Sequence, residues 1–258
     1  RFPYGAQFDC YVPSNVVLAG TQYVCAGWGM TGNEPASGSS NRFALTLTND
    51  ATLTWRWTTN YWLHATNSAH GSVNVEDAWH SPGSNVVISG SPDIYCYFTN
   101  WTGDIPGGGE FANPLNLLID APKSVTANFA AVVTTNTGTP LWWLAQSGLT
   151  NQFEAEATND PDRDSMPTWQ EYLADTIPTN SASVLRIEGI RCQGVGFRID
   201  WKGWRWARQY LDTRADLNGT TGTWTAVFTN VGLPTDITNS VTDGSTNRAL
   251  FYRVRAER

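Results

Sequence analysis

Apolar and polar residues alternate along most of the chain, and a period of two is typical of β-strands that bury one face. The clearest example is FALTLTNDATLTWRW, residues 43–57, where one face is almost wholly apolar and the other is largely threonine. The apolar face consists of Phe43, Leu45, Leu47, Leu53, Trp55 and Trp57. Short alternating runs separated by Gly and Asn resume near residue 184. The pattern predicts a mainly β protein with tandem small β-rich units and a C-terminal antiparallel β-sandwich.

Two segments of the chain align with each other, which indicates a tandem repeat. QYVCAGWGMTGNEP, residues 22–35, matches IYCYFTNWTGDIP, residues 94–106. The aligned positions are Trp28 with Trp101, Gly32 with Gly103 and Pro35 with Pro106. We expect a first β-repeat over residues 1–57, which lacks an opening strand, and a second β-repeat over residues 58–131.

The second repeat carries motifs that resemble a known family. In order, they are a Gly-Ser-Val strand at 71–73, a Pro-Gly turn at 82–83, an aromatic-x-x-Trp-x-Gly motif at 98–103 and the closing KSVTANF at 123–129. These motifs resemble the divergent internalin-B-type B-repeat of bacterial surface proteins. The resemblance implies tandem β-rich modules on secreted or cell-surface proteins, mostly without catalytic activity, and suggests that the missing opening strand belongs to an upstream repeat.

Helical signals are concentrated in residues 132–183, which begin with a polar linker. Thr139 can act as N-cap and Pro140 suits the first position of a helix over LWWLAQS. Asn151 and Glu154 have the spacing of a capping box for a second helix, FEAEAT. These signals predict a short helix–loop–helix segment after the repeats.

The loop DPDRDSMPTWQE, residues 160–171, has the spacing of a calcium site. Ca²⁺ takes about six to eight oxygen ligands, and an EF-hand loop supplies them from positions 1, 3, 5, 7, 9 and 12. The residues at these positions are Asp160, Asp162, Asp164, Met166 through its carbonyl, Thr168 directly or through water, and Glu171. The alternative is a solvated acidic turn, but the neighbouring carboxylates repel one another and oppose a compact loop without a cation. We therefore expect a structural Ca²⁺ site.

Two positions of this loop depart from the EF-hand pattern. Ser165 stands where glycine usually takes a left-handed turn, which serine adopts at some energetic cost. Pro167 lacks the backbone N–H that would pair with a second loop, so the site should be solitary. The segment resembles the solitary dockerin-like or thrombospondin-type-3-like calcium segments of secreted bacterial proteins. It departs from them at Asp175 and Ile177, where those segments usually have Gly and Asp.

The C-terminal region, residues 184–258, ends in the strand FYRVRAE. This strand and the order of strands and turns before it are similar to fibronectin type III-like modules of secreted planctomycete and verrucomicrobial proteins. The resemblance implies a small β-sandwich at this end of the chain.

Charge and composition exclude several classes of partner. The net charge is −7 and the basic residues are scattered, so the chain lacks the basic stripe that nucleic acid requires. No apolar run is long enough for membrane insertion, and residues 1–7 have no apolar stretch of the kind that a signal peptide contains. The acidic, Asn- and Thr-rich composition favours a secreted or cell-surface setting.

The four cysteines leave two interpretations open. Cys10 and Cys25 flank a predicted hairpin, so a cross-strand disulfide is geometrically easy, but they could also be small buried hydrophobic residues. A second bridge between Cys96 and Cys192 would join two predicted domains, and the sequence favours neither outcome. Disulfides would fit an oxidising, extracellular compartment.

Two functions remain after the residue patterns are weighed. The three histidines and the scattered carboxylates form no catalytic motif. We therefore expect a non-catalytic array of surface modules with a structural or adhesive role. Such an array could self-assemble as a homo-oligomer or with neighbouring repeats. The alternative is a carbohydrate-binding region of a protein that acts on polysaccharide, with Trp204, Arg205 and Trp206 as the stacking surface.

Overall fold

The protein is mainly β, as the alternating pattern predicts. A computed structural model describes residues 2–203, 206–215, 223–230, 237–244 and 250–258. The chain divides into two compact units, Arg1–Ala130 and Ala131–Arg258. The finer division of each unit into two predicted parts stays a prediction.

The first unit is built from short strands on either side of one long strand. The strands are β1 (Ala6–Tyr11), β2 (Asn15–Leu18), β3 (Thr21–Thr31), β4 (Ser37–Gly38), β5 (Arg42–Leu47), β6 (Thr52–Asn67), β7 (Gly71–Val73), β8 (Ala78–His80), β9 (Ser84–Ile88), β10 (Gly90–Pro92), β11 (Cys96–Gly103), β12 (Leu115–Ile119) and β13 (Lys123–Ala131). The largest sheet contains seven strands, in the order β11-β13-β6-β3-β2, with β4 on β3 and β8 on β6.

Strand β6 is 16 residues long and joins the two predicted repeats without a break. It pairs antiparallel with β3 over residues 52–61, parallel with β13 over residues 63–67, and antiparallel with β8 over residues 61–63. Tyr61 lies between β3 and β8, and Leu63 lies between β8 and β13. Strands β3 and β13 therefore lie end to end along the same edge of β6.

The aligned residues of the two repeats occupy equivalent places. Trp28 and Trp101 are both buried, and Gly32 and Gly103 both have positive φ, of 86° and 100°. A Cβ on Gly32 would collide with the carbonyl oxygen of Asp50, and a Cβ on Gly103 would collide with that of Ser124. Each glycine thus allows the same close approach between a Trp-bearing strand and the strand that closes its repeat.

Each repeat has its own hydrophobic core. In the first, Phe43 stacks on Trp28 with ring centroids 3.7 Å apart, and Leu45 is buried beside them. Leu53 and Trp55 pack against this cluster. Trp57 does not, and its side chain is partly exposed opposite Cys25, where β3 has a bulge. The predicted apolar face therefore ends before Trp57. The second core consists of Leu63, Ile88, Trp101, Leu115, Leu117, Ile119, Val125, Ala127 and Phe129.

All four cysteines are free thiols, so neither predicted disulfide is present in the structure. The predicted hairpin between Cys10 and Cys25 is wrong. Cys10 lies opposite Phe43 in the β1–β5 sheet, whereas Cys25 lies opposite Trp57 in the large sheet. Strand β2 forms the hairpin with β3 instead.

The second unit combines three short helices with a β-sandwich. The helices are α1 (Leu141–Gln146), α2 (Phe153–Thr158) and α3 (Thr168–Ala174). The strands are β14 (Arg186–Gln193), β15 (Gly196–Gly203), β16 (Arg208–Arg214), β17 (Thr225–Asn230), β18 (Ile237–Asp243) and β19 (Phe251–Glu257). They form two three-stranded sheets, β14-β15-β18 and β17-β16-β19, around the buried Ile199, Trp201 and Leu211.

The helix starts differ by a residue or more from the sequence prediction. Pro140 rather than Thr139 is the N-cap of α1, with φ −65° and ψ 132°. Gln152 rather than Asn151 is the N-cap of α2, and no side chain caps that helix. The carboxylate of Glu154 does not form a capping box, because it accepts hydrogen bonds from the backbone N–H groups of the preceding linker.

Candidate metal centre

The acidic loop between α2 and α3 brings three carboxylates together. One oxygen from each of Asp160, Asp162 and Asp164 lies within 4.8 Å of the other two. These residues form the one group of three or more His, Cys, Asp or Glu side chains with such geometry in the described parts of the chain. Because three negative charges at this separation repel one another, the arrangement is suited to a cation.

The backbone of the loop folds back onto its own carboxylates. Asp160 accepts hydrogen bonds from the N–H groups of Asp164 and Ser165, at 3.2 and 2.9 Å. Asp164 accepts one from Met166 at 2.8 Å. Ser165 has φ 77°, so the left-handed turn expected at this serine is present. Arg163 also has a positive φ, of 63°.

Glu171 approaches the aspartates from the first turn of α3. Its side chain is completely buried, with a relative exposure of 0 %. Burial, followed by the charges of Asp162 and Asp164, raises the pKa of Glu171 to about 8. Burial is also the main cause of the raised pKa of Asp162 and of Asp164. An ionised Glu171 here needs a positive charge beside it.

The carboxylates of the loop carry oxygens that no protein donor satisfies. Asp162 Oδ2, Asp164 Oδ2 and Glu171 Oε2 are buried and have no hydrogen-bond partner. Buried acceptors in native proteins nearly always have a donor, a water or an ion beside them, so these oxygens are suited to a bound cation. Hard carboxylate oxygens are the ligands that Ca²⁺ prefers, so this donor set fits calcium.

Thr168 makes contacts that the loop spacing does not predict, besides its expected ligand role. Its buried hydroxyl donates to the carbonyl oxygen of Asn159 at 3.0 Å, and its N–H donates to the same carbonyl at 2.9 Å. The N-cap of α3 is Pro167, without a side-chain cap, so Thr168 and Glu171 do not form a capping box. These two hydrogen bonds join the two ends of the loop, so Thr168 helps to position the carboxylates between them.

Residues after α3 support the loop, and sequence spacing alone does not reveal them. Thr176 donates to Glu171 Oε1 at 3.3 Å, which leaves Oε2 as the free oxygen. The backbone N–H of Asn180 donates to the carbonyl oxygen of Ile177 at 3.0 Å. Asp175 forms an ion pair with Arg258 at 2.7 Å, in keeping with its departure from the calcium-segment pattern.

The loop is anchored to the rest of the second unit through apolar contacts. Met166 and Ala174 are buried with Val184, and Leu185 and Ala256 pack against them. Tyr172 lies edge-on to Trp143 of α1, with ring centroids 5.2 Å apart. Ordering of the loop is therefore coupled to both the helices and the sandwich.

The predicted carbohydrate-binding residues lie apart from this loop in sequence, and only one of them is described. Trp206 is 65 % exposed with φ 58°. Trp204 and Arg205 lie outside the described residues. Trp201, by contrast, is fully buried, and its indole N–H donates to Gln209 Oε1 at 3.0 Å.

His64 forms a local hydrogen bond with Asp77. Its Nδ1 lies 2.6 Å from Asp77 Oδ2, and Asp77 Oδ1 accepts the backbone N–H of Ala65 at 3.0 Å. The hydrogen bond from His64 is the main cause of the lowered pKa of Asp77. This contact fastens the segment before β8 to β6.

Comparison with known proteins finds one family that part of the chain resembles. The model of the divergent InlB B-repeat domain matches residues 61–133, which confirms the B-repeat resemblance of the second repeat. No curated protein and no solved structure matches the chain. The resemblances to dockerin-like, thrombospondin-type-3-like and fibronectin type III-like modules stay predictions. Among the described helices, none is long and apolar enough to cross a membrane.

Proposed function

We propose that the chain is a non-catalytic extracellular module array of a bacterial surface protein, in which β-repeats act as a spacer and Ca²⁺ clamps the segment that leads into a terminal β-sandwich. The B-repeat match supports the surface-module part of this proposal. The observation that carries the calcium part is the buried, unsatisfied oxygen of Glu171 beside three converging aspartates.

The role of calcium is structural in this proposal. Asp160, Asp162, Asp164 and Glu171 would supply carboxylate oxygens, and the Met166 carbonyl and Thr168 complete the predicted set. A bound ion would remove the repulsion among the carboxylates and fix the start of α3, which contacts β19 of the sandwich. Extracellular calcium is abundant, so an affinity of about 10⁻⁴–10⁻³ M suffices for such a module.

Thermal unfolding tests this proposal. The midpoint should rise when millimolar Ca²⁺ replaces chelator, and should rise less with equal Mg²⁺, because Mg²⁺ demands a smaller octahedral site and gives up water reluctantly. Asp162→Asn should reduce the calcium-dependent shift, whereas Asp104→Asn, outside the acidic loop, should preserve it. Equal midpoints in calcium and chelator would contradict the clamp.

Carbohydrate binding is a second candidate function, and the exposure of Trp206 favours it. A flat exposed indole can stack on the apolar face of a sugar ring. A glycan array should then show saturable binding that Trp206→Ala abolishes and Trp57→Ala, at another partly exposed tryptophan, retains. Equal glycan binding by the two variants would rule out this surface.

A further inference from the structure

The C-terminal region is the positively charged part of an acidic chain. Residues 184–258 contain 11 of the 16 Lys and Arg residues but only 7 of the 23 Asp and Glu residues. The net charge of this region is therefore +4, although the whole chain carries −7. A region whose charge is opposite in sign to that of the chain favours an anionic partner.

The structure brings arginines that are scattered in the sequence together on one face of the sheet β17-β16-β19. Leu211, Tyr252 and Val254 pack into the sandwich core, so the alternate residues of β16 and β19 lie on the opposite face. The charged residues on that face are Arg208, Asp212 and Arg214 of β16, and Arg253, Arg255 and Glu257 of β19. Four arginines and two carboxylates give it an excess of two positive charges. We call it the arginine face.

Two arginines of this face are held in place by their neighbours. The Nε–H groups of Arg253 and Arg255 both donate to Asp212 Oδ2, at 3.0 and 2.9 Å. The guanidinium carbon of Arg253 lies 4.5 Å from the centroid of the Trp224 ring, and that of Arg255 lies 3.8 Å from the centroid of the Tyr210 ring. Because a stacked guanidinium group has already lost much of its freedom, it binds a ligand at a lower entropic cost.

These contacts leave hydrogen-bond donors of both arginines unused. An arginine has five N–H donors in a planar fork. Among the described residues, Arg253 donates through Nε only, and Arg255 donates through Nε and through Nη1, which binds Glu257. The side chains of Arg253 and Arg255 are 46 % and 37 % exposed, whereas Asp212 is buried. The buried carboxylate therefore anchors the pair, and the remaining N–H groups are available to an anionic group of a ligand.

An exposed aromatic ring lies in the same row as the two arginines. Phe251 is 39 % exposed and precedes Arg253 by two residues on β19. Residues at this spacing on a strand are roughly 7 Å apart on one face. A sugar ring can stack its apolar face on the phenyl ring while its acidic group meets the guanidinium group.

The composition of the arginine face fits a polysaccharide better than a protein or a nucleic acid. The cores of protein interfaces are depleted of charge, whereas Phe251 is the one large apolar side chain that β16 and β19 expose. Duplex DNA carries a charge about every 1.7 Å, so the net charge of −7 repels it more strongly than a glycan whose charges are a sugar or more apart. The favoured ligand is a chain of sugars with spaced acidic groups.

We propose that the arginine face binds an acidic polysaccharide, whose carboxylate or sulfate groups contact Arg253 and Arg255 and one of whose sugar rings stacks on Phe251. This site goes beyond the functions proposed above, because it requires neither calcium nor Trp206. A few such contacts are weak singly. A polymer with many acidic groups can engage several copies of the chain at once, so binding strengthens where copies are close together.

Binding of three polysaccharides by the immobilised full chain tests the proposal. Polygalacturonate carries carboxylates, dextran sulfate carries sulfates and dextran is neutral; chelator in every solution prevents calcium from crosslinking the polyuronate. The chain should bind the acidic polymers saturably and should not bind dextran. Binding of only one acidic polymer would support the site and identify its acidic group. Absence of binding to both, or equally strong binding of dextran or of sugar-free poly-glutamate, would overturn the proposal.

Variants of the two kinds of contact locate the site. Arg253→Gln should weaken binding of the acidic polymer about tenfold or more, because it removes a charged donor fork. Arg191→Gln is the matched control, since Arg191 is an exposed arginine of β14 that also binds an aspartate, Asp200, and it should bind like the wild type. Equal losses in the two variants would contradict the assignment to the arginine face.

Phe251→Ala provides a test that leaves the ion pairs of Asp212 in place, and it decides the matter if Arg253→Gln does not fold. It should weaken binding about three- to tenfold, whereas Ile190→Ala, at an exposed residue of β14, should not. Unchanged binding by Phe251→Ala would contradict the stacking contact. Trp206→Ala should retain binding; loss of binding in that variant but not in Phe251→Ala would overturn this site in favour of the Trp206 surface.

Discussion

Replacing Glu171 by glutamine should stabilise the protein much more without calcium than with it. The substitution keeps the shape of the side chain and its contact with Thr176 but removes the charge that faces Asp162 and Asp164. Without a cation that charge is unfavourable, and with Ca²⁺ it is a ligand. Glu171→Gln should therefore stabilise the second unit in chelator, and this advantage over the wild type should largely disappear in calcium.

The magnitude in chelator follows from the pKa of Glu171. Its pKa rises from 4.5 to about 8 on folding. The folded state thus binds the proton more tightly than the unfolded state, and wild-type stability in chelator should fall as pH rises from 4.5 to 8. At pH 7 the loss amounts to about 3 kcal/mol, and above pH 8 it approaches about 5 kcal/mol. In chelator at pH 7, Glu171→Gln should therefore be more stable than the wild type by about 3 kcal/mol.

The magnitude in calcium follows from mass action. An ion at 100 times its dissociation constant stabilises the wild type by about 2.7 kcal/mol, and a dissociation constant at pH 7 already includes the cost of ionising Glu171. Glutamine offers one neutral oxygen in place of a bidentate carboxylate, so the variant loses most of this gain. At this saturation calcium should therefore cancel most of the roughly 3 kcal/mol advantage that the variant has in chelator.

Chemical denaturation followed by tryptophan fluorescence measures both effects at pH 7. Glu188→Gln, at an exposed glutamate on β14, is the matched control and should change stability by less than about 0.5 kcal/mol in either condition. If Glu171→Gln destabilised the protein equally in chelator and in calcium, Glu171 would act as an ordinary buried hydrogen-bonding group. That result would refute the electrostatic reasoning.

Two further predictions concern the β-units. Gly103→Ala should lower the free energy of unfolding of the first unit, measured by chemical denaturation, by well over the roughly 1 kcal/mol expected from a positive φ alone, because a Cβ meets the Ser124 carbonyl. Gly83→Ala is the comparison, because Gly83 has φ 79° and open space around it. Equal losses at the two glycines would contradict the close approach. Gln209→Ala should destabilise the sandwich by about 2–4 kcal/mol in denaturation, since it leaves the buried N–H groups of Trp201 and Asn239 without their shared acceptor. Gln193→Ala, on the exposed face of β14, should have almost no effect, and a similar small effect at Gln209 would show that water replaces the lost amide.

The sequence predicts those parts of the fold that depend on local pattern. Alternation locates β5 and the start of β6, and the alignment of Gly32 with Gly103 identifies a close approach that only a residue without Cβ permits. The pairing of β1 with β5 could not be predicted in this way. Cys10 and Cys25 are near in sequence, but their strands join different sheets, and sheet partners depend on long-range packing.

The candidate metal centre, like the fold, is predicted only in part by the sequence. The spacing of Asp160, Asp162 and Asp164 predicts their convergence, because a short loop holds them together. The bond from Thr168 to the Asn159 carbonyl was not predictable, since an oxygen at a ligand position can serve the backbone equally well. Burial of Glu171 depends on packing of α3 against Val184 and Ala256, which no local pattern reveals.

The most direct test of the calcium clamp is calorimetric titration of the full chain with Ca²⁺ at pH 7.4, beside Asp162→Asn. The account predicts saturable binding of one ion by the wild type, with a dissociation constant of about 10⁻³ M or tighter, and much weaker binding by the variant. Absence of binding at millimolar calcium, or equal binding by both chains, would contradict it.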